Sequence, residues 1–172
     1  LPILLAPMAG SCPPSLSIAV ASAGGMGACG ALRMTPGEIM EWAREVRSGS
    51  NSAFQMNLWI PDPAPVRDKA RETRLRTFLA DWGPPVPEPV TDAEPLDFAA
   101  QCDALIACGA PVVSSIMGVY PAPYVQRLKQ NGIAWFAAAT TVAEARAAAA
   151  AGADVIVAQG SEAGGHRGSF DP

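Results

Sequence analysis

The chain has 172 residues, 49% of them apolar and 16% charged, a composition that supports one packed core of ordinary size rather than disorder. A net charge of -4 with scattered Lys and Arg supplies no basic footprint for nucleic acid, and no apolar run approaches the roughly 20 residues of a bilayer-spanning helix. No signal-peptide pattern stands at the start, and the four cysteines (Cys12, Cys29, Cys102, Cys108) lack CxxC pairing, so buried reduced thiols and a cytoplasmic setting are expected.

Ile3 to Met8 (ILLAPM) reads as a short buried strand closed by Pro7. Ser15 to Ala23 reads as a helix, and Gly24 to Gly30 (GGMGACG) as a short strand in a tight place. Thr35, Pro36 and Glu38 stand at N-cap, N1 and N3 of a helix reaching about Val46. Ala53 to Ile60 is the next strand, and Pro65 to Leu79 a charged amphipathic helix. The proline-rich stretch from Asp81 to Pro95 is expected as an ordered surface excursion, not a domain linker.

Phe98 to Cys108 predicts a helix, Pro111 to Met117 a strand, Pro123 to Gln130 a helix and Ile133 to Ala139 a strand. Thr141 and Glu144 form a second capping box, opening an alanine-rich helix that Gly152 stops. Asp154 to Gln159 (DVIVAQ) is the last strand. Near-continuous apolar strands alternating with helices mean parallel strands covered by helices. About six strands admit either a doubly wound sheet or most of an eight-stranded barrel, and both place chemistry at the carboxyl ends of the strands.

Gly25, Gly27 and Gly30 match GxGxxG, but a helix precedes the motif and apolar residues fill it, so close backbone packing is the better reading than dinucleotide binding. Met8, Ala9 and Gly10 form either a plain turn or a small-residue approach for a flat ligand. Asn57, an amide within FQMNLW, needs hydrogen-bond partners and is either a satisfied core residue or a ligand-facing one.

Gln159 ends the last strand, and Gly160, Gly164, Gly165 and Gly168 pave the loop behind it, leaving backbone N–H groups open beside a ligand. His166, the one histidine of the chain, emerges from that loop, and an imidazole so placed is suited to taking a proton near neutrality. A core histidine is not expected in so polar a loop, so a functional role is favoured. Glu162 and Arg167 read as solvated charges, with an anion contact the alternative for Arg167. One histidine and dispersed cysteines build no ordinary zinc site, so no metal is expected, and neither a GxSxG elbow nor a P-loop is present.

Taken together, LPILLAPMAG, AGGMGACG, FQMNLW and AQGSEAGGHRGSF resemble the nitronate monooxygenases, in order and across essentially the whole chain. The resemblance implies an α/β fold of the parallel (β/α)8 TIM-barrel type that binds FMN and oxidises alkyl nitronates with oxygen. By position, the Pro7 and Met8 backbone would lie against the flavin ring, and Asn57, Gln159, Gly164 and Gly165 would contact the cofactor. His166 would remove the α-proton of a neutral nitroalkane. Small-molecule nitronate or nitroalkane and oxygen are the implied partners, and a homo-oligomer is compatible with them.

Flavin-phosphate loops in such barrels follow the last two of eight strands. Residues 1–172 are therefore expected to be the N-terminal and central part of a single FMN-binding barrel domain whose polypeptide continues. The absence of an initiator Met at Leu1 suggests further residues at that end too. Two alternatives remain: a flavin-dependent enoyl-acyl-carrier-protein reductase, which would need a nicotinamide reductant, and a non-catalytic barrel fragment completed by a partner chain.

Overall fold

The computed structural model describes residues 1–63, 66–87 and 96–170. The predicted helix start at Pro65 and residues 88–95 of the proline-rich stretch lie outside the described residues. Two compact units are distinguished, Leu1–Pro61 with Leu96–Pro172, and Asp62–Pro95.

In the larger unit the elements run α1 (Pro14–Ser22), β1 (Gly27–Gly30), α2 (Pro36–Gly49), β2 (Phe54–Trp59), then α4 (Phe98–Ala107), β3 (Val112–Ile116), α5 (Ala122–Gln130), β4 (Ala134–Ala139), α6 (Val142–Ala150) and β5 (Val155–Ala158). The smaller unit holds α3 (Lys69–Ala80), started by the Asp68 carboxylate accepting the Arg71 N–H at 3.0 Å. An Arg67–Glu72 ion pair at 2.5 Å supports its first turn, and none of its residues is buried.

All five strands are parallel and pair in chain order, β1-β2-β3-β4-β5. Sequential parallel pairing through helices is the winding of a TIM-type barrel wall. One face of the sheet meets the helices, and there Phe54, Met56 and Leu58 of β2, Val113 of β3 and Trp135 and Ala137 of β4 pack with Ile39, Val46, Leu105 and Leu128. Trp135 is fully buried, donates Nε1–H to Ser115 Oγ at 3.0 Å, and meets the Tyr120 ring edge-on at 5.7 Å. The opposite face carries Gln55, Asn57, Ser114 and Phe136, with Val155 and Val157 of β5 exposed.

Apart from α3, which starts at Lys69 after an Asp68 cap rather than at Pro65, helix starts follow the sequence closely. Thr35 with Glu38 and Thr141 with Glu144 make complete capping boxes, and prolines stand at the first turns of α1, α2 and α5. α2 runs on past the predicted Val46 to Gly49.

The first predicted strand is the main difference. From Ile3 to Ala9 the chain makes only isolated bridges, Leu4 with Met26 just before β1 and Ala9 with Gly30 at the end of β1. One rung forms, through Leu5 N–H to Met26 O at 2.9 Å and Met26 N–H to Ile3 O at 3.0 Å. The next is lost because Pro7 has no N–H to give and because Ser17 of α1 already holds Ala28. The Ser17 hydroxyl donates to the Ala28 carbonyl at 3.0 Å and accepts its N–H at 3.1 Å. Leu4 to Ala9 is five steps while Met26 to Gly30 is four, so the segment bulges by one residue. The regular sheet thus has five strands rather than about six.

The four cysteines are free and buried. Burial pushes the Cys29 and Cys102 thiols up to about 12 and raises Cys108 as well. Alkylation of the native protein with iodoacetamide at about pH 8 is therefore expected to leave these three unmodified, since the thiolate is the nucleophile. Rapid labelling of any of them by mass spectrometry would contradict that expectation.

Candidate active site

Gln159 leaves β5 at its carboxyl end, and its side chain organises the loop that follows. Its Nε2–H donates to the His166 carbonyl at 2.9 Å, and its Oε1 accepts the Gly168 N–H at 2.7 Å. One side-chain amide thereby fixes both flanks of Arg167. Gly165, at φ +82°, supplies the left-handed residue that turns the chain into this clip.

The loop then crosses the carboxyl ends of the neighbouring strands. Gly168 lies over Ile116 at the end of β3, so close that a Cβ would come within 2.7 Å of its side chain. His166 reaches β2, where its ring meets Trp59 edge-on, centroids 4.9 Å apart and planes at 66°. β5 and β2 are three strand spacings apart in the sheet, about 14 Å. The single imidazole of the chain is thus exposed above the sheet, on a loop anchored beneath it.

The far end of the loop meets the start of α6. Glu144, 9% exposed, accepts the Phe170 N–H at 3.0 Å and the Ser169 hydroxyl at 3.2 Å. Burial by itself would raise this carboxyl, but hydrogen bonds from Phe170, Thr140 and Ser169 outweigh it and hold the group at about 2, below its ordinary 4.5. A depressed carboxyl contributes stability that is complete above about pH 4.5 and lost as pH falls toward about 2. Exchange of the Phe170 amide, relative to its intrinsic rate, is expected to accelerate across that acid window and to stay constant above it.

The other sequence-derived residues lie at the same level of the sheet. Gly30 pairs with Asn57 and Asn57 with Ser114, while Ala9 bridges to Gly30. Asn57 is 5% exposed and donates Nδ2–H to Ser114 Oγ at 3.0 Å, so a neighbouring hydroxyl meets its need for a partner. Met8, Ala9 and Gly10 are exposed, and Pro7 is half-buried. Gly164 and Gly165 are also exposed, with nothing within 4 Å of where a Cβ would stand. Glu162 and Arg167 are exposed as well.

Exposed chain at Met8 to Gly10, level with the end of β1, and open glycine backbone at Gly164 and Gly165, beyond the end of β5, fit a flat, largely uncharged ring such as the isoalloxazine of a flavin. Among the described residues no group of three or more His, Cys, Asp or Glu could hold a metal ion, and no helix is long and apolar enough to cross a membrane.

Three contributors escaped the sequence reading. Trp59 gave no sign beyond its strand-end position, two residues past Asn57 on the same face. Glu144 was legible only as a cap. Gln101 of α4 is buried and donates to the carbonyls of Ala31, Leu32 and Met34 at 2.8 to 3.3 Å, holding the chain after β1. No local pattern distinguishes that glutamine from a surface one.

Sequential parallel strands, helices on one face and a glycine-paved loop across the carboxyl ends define a TIM-barrel-like α/β protein, and the candidate site lies at the strand ends where such folds carry their chemistry. The chain belongs to the nitronate monooxygenase family, whose sequence model matches residues 1–172. It is 38% identical to a nitronate monooxygenase of Paraburkholderia phytofirmans over 181 residues, covering 99% of this chain and 48% of that protein. A Pseudomonas aeruginosa nitronate monooxygenase is 36% identical over 176 residues, covering 99% and 50%. Among solved structures, nitroalkane oxidase from Streptomyces ansochromogenes superposes with a TM-score of 0.85 at 35% identity, covering 100% of this chain and 50% of that one. FabK from Thermotoga maritima superposes with a TM-score of 0.69 at 27% identity, covering 98% and 43%. The chain spans about half the length of the curated relatives it matches.

Proposed function

We propose that the protein of which this chain is part oxidises alkyl nitronates with oxygen using FMN, and that His166 acts on neutral nitroalkanes as the general base. The observation that carries this reading is the placement of His166. A lone imidazole stands exposed at the carboxyl ends of the strands, against Trp59, on a loop that Gln159 clips to the end of β5. That loop commits side-chain hydrogen bonds to fixing one basic group, as general-base chemistry requires.

The residues divide the work as follows. The Pro7–Met8 backbone and Gly164 and Gly165 would flank the flavin ring, with Asn57 and Gln159 lining the sheet beside it. FMN, when bound, supplies the acceptance of electrons from the substrate and their delivery to oxygen. Neutral His166 takes the α-proton from carbon. The electron pair of that C–H bond passes into the nitro group, so a nitroalkane becomes a nitronate and the imidazole becomes an imidazolium. A carbon acid activated by a nitro group needs only a modest base, and a positioned histidine typically contributes about 10² to 10⁴-fold. Trp59 gives the imidazole an apolar wall to lean on.

The test is the visible spectrum of the purified full-length protein during anaerobic addition of an alkyl nitronate. Flavin bands that change without any nicotinamide support the reading. Bands that respond only to NADPH would replace it with the enoyl reductase, and a stable protein without flavin bands would leave only a non-catalytic role.

A further inference from the structure

We propose that Glu144 is a positioning residue for His166, latching the far end of the His166 loop to the start of α6, an assignment that rests on the reading of His166 as the base. The two carboxylate oxygens have separate partners. Oε2 accepts from the Thr140 N–H at 2.7 Å, the Thr140 hydroxyl at 2.8 Å and the Thr141 N–H at 3.1 Å, which ties it to the end of β4. Oε1 takes no part in that cap and accepts from Ser169 Oγ and Phe170 N–H, three and four residues past the imidazole.

The other capping box shows what capping alone requires. In α2, Glu38 accepts from Thr35 N–H and Thr35 Oγ1 through one oxygen, Oε2, and the residue lies exposed. Glu144 does the same work through one oxygen, yet it is buried and its second oxygen is turned to the loop. That second engagement is surplus to the helix. It serves the segment that carries the base.

A loop rich in glycine has much backbone freedom to lose, so a side chain it carries is poorly located unless the backbone is fixed on both sides. The Gln159 clip fixes His166 at its own carbonyl and at Gly168. The Glu144 latch fixes Ser169 and Phe170, so the loop cannot pivot about the clip. A displacement of about 1 Å at a base can cost on the order of 10²-fold in rate, which makes the second anchor matter for proton abstraction. It matters less for a substrate that arrives already deprotonated.

Glu144→Gln in the full-length, flavin-loaded protein tests the latch. One carboxylate oxygen becomes an NH2, which faces N–H donors at either the cap or the loop. Turnover of a neutral nitroalkane is expected to fall about tenfold relative to oxidation of the preformed nitronate, the scale of one charge-assisted hydrogen bond. Hydrogen exchange at the Phe170 amide is expected to accelerate in the same variant. Ser169→Ala, which leaves the α6 cap intact, should lower the activity ratio about threefold and covers the case in which Glu144→Gln does not fold.

An unchanged ratio with unchanged Phe170 exchange in whichever variants fold would overturn the latch. Parallel loss of both activities at normal exchange would overturn it too, by showing that Glu144 acts on something other than the base. His166→Asn separates the two readings. If it lost both activities equally, the base assignment beneath this proposal would fall. If it lost only nitroalkane turnover while Glu144→Gln left the ratio untouched, the latch alone would fall.

Discussion

Replacing His166 by Asn is expected to lower turnover of neutral nitroalkanes by about 10² to 10⁴-fold while leaving oxidation of preformed nitronates within a few-fold of the parent protein. Asn keeps a polar side chain of similar reach but cannot accept a proton near neutrality. The fold should be indifferent to the change, because the loop is held through the His166 carbonyl, which Asn retains, and not through the imidazole. The imidazole itself leans on the Trp59 ring, an edge contact at the surface. Steady-state rates with a matched nitroalkane and nitronate pair measure the effect, and equal losses on the two substrates would show that proton abstraction is not what His166 does.

Gly30→Ala is expected to destabilise the protein by about 1–3 kcal/mol and to weaken retention of flavin. A Cβ at Gly30 would stand 2.6 Å from Ala9 N and 3.0 Å from Ala9 Cα and Met8 C. All three are backbone atoms, so no side-chain rotation relieves the overlap. The Met8–Ala9 segment must move, and it is the segment proposed to lie against the flavin ring. Gly37→Ala is the control, since a Cβ there meets nothing within 4 Å and the residue lies in the first turn of α2. Urea or thermal melts, with the flavin-to-protein absorbance ratio after dialysis, read both effects. Equal behaviour of the two variants would mean that close approach of the Met8 segment is not why glycine stands at position 30.

What could be read from the sequence was what is encoded locally. Thr35 with Glu38 and Thr141 with Glu144 announce their helices through short-range chemistry, and both capping boxes form as read. Gly152 adopts φ +100° after the alanine-rich helix, as a terminating glycine does. The apolar strand runs keep their type because burial on the helix side selects it.

The errors lie where a distant group intervenes. ILLAPM has the composition of a strand, but nothing in its own pattern tells that the peptide it would pair with is already taken; Ser17 comes from α1 to occupy Ala28. The same holds for the site. Glycines and the histidine are legible because their chemistry is unusual at that position. Asn57 finds Ser114 across the sheet, Trp59 meets an imidazole delivered from three strands away, and Glu144 gains its second set of partners from a loop that follows the next strand. None of these pairings has a sequence period.

The contact between Ser17 and Ala28 has a consequence for how the sheet ends. An exposed strand edge is a row of unpaired peptide groups that invites any extended chain to add to it. Along the outer edge of β1, the Leu4 bridge takes Met26 and the Ala9 bridge meets Gly30. The gap between them would be the one open rung, and there a serine hydroxyl imitates a peptide, giving one hydrogen bond and taking one. A helix side chain thus closes this rung of the β1 edge against foreign strands, where the first segment bulges between its bridges at Leu4 and Ala9.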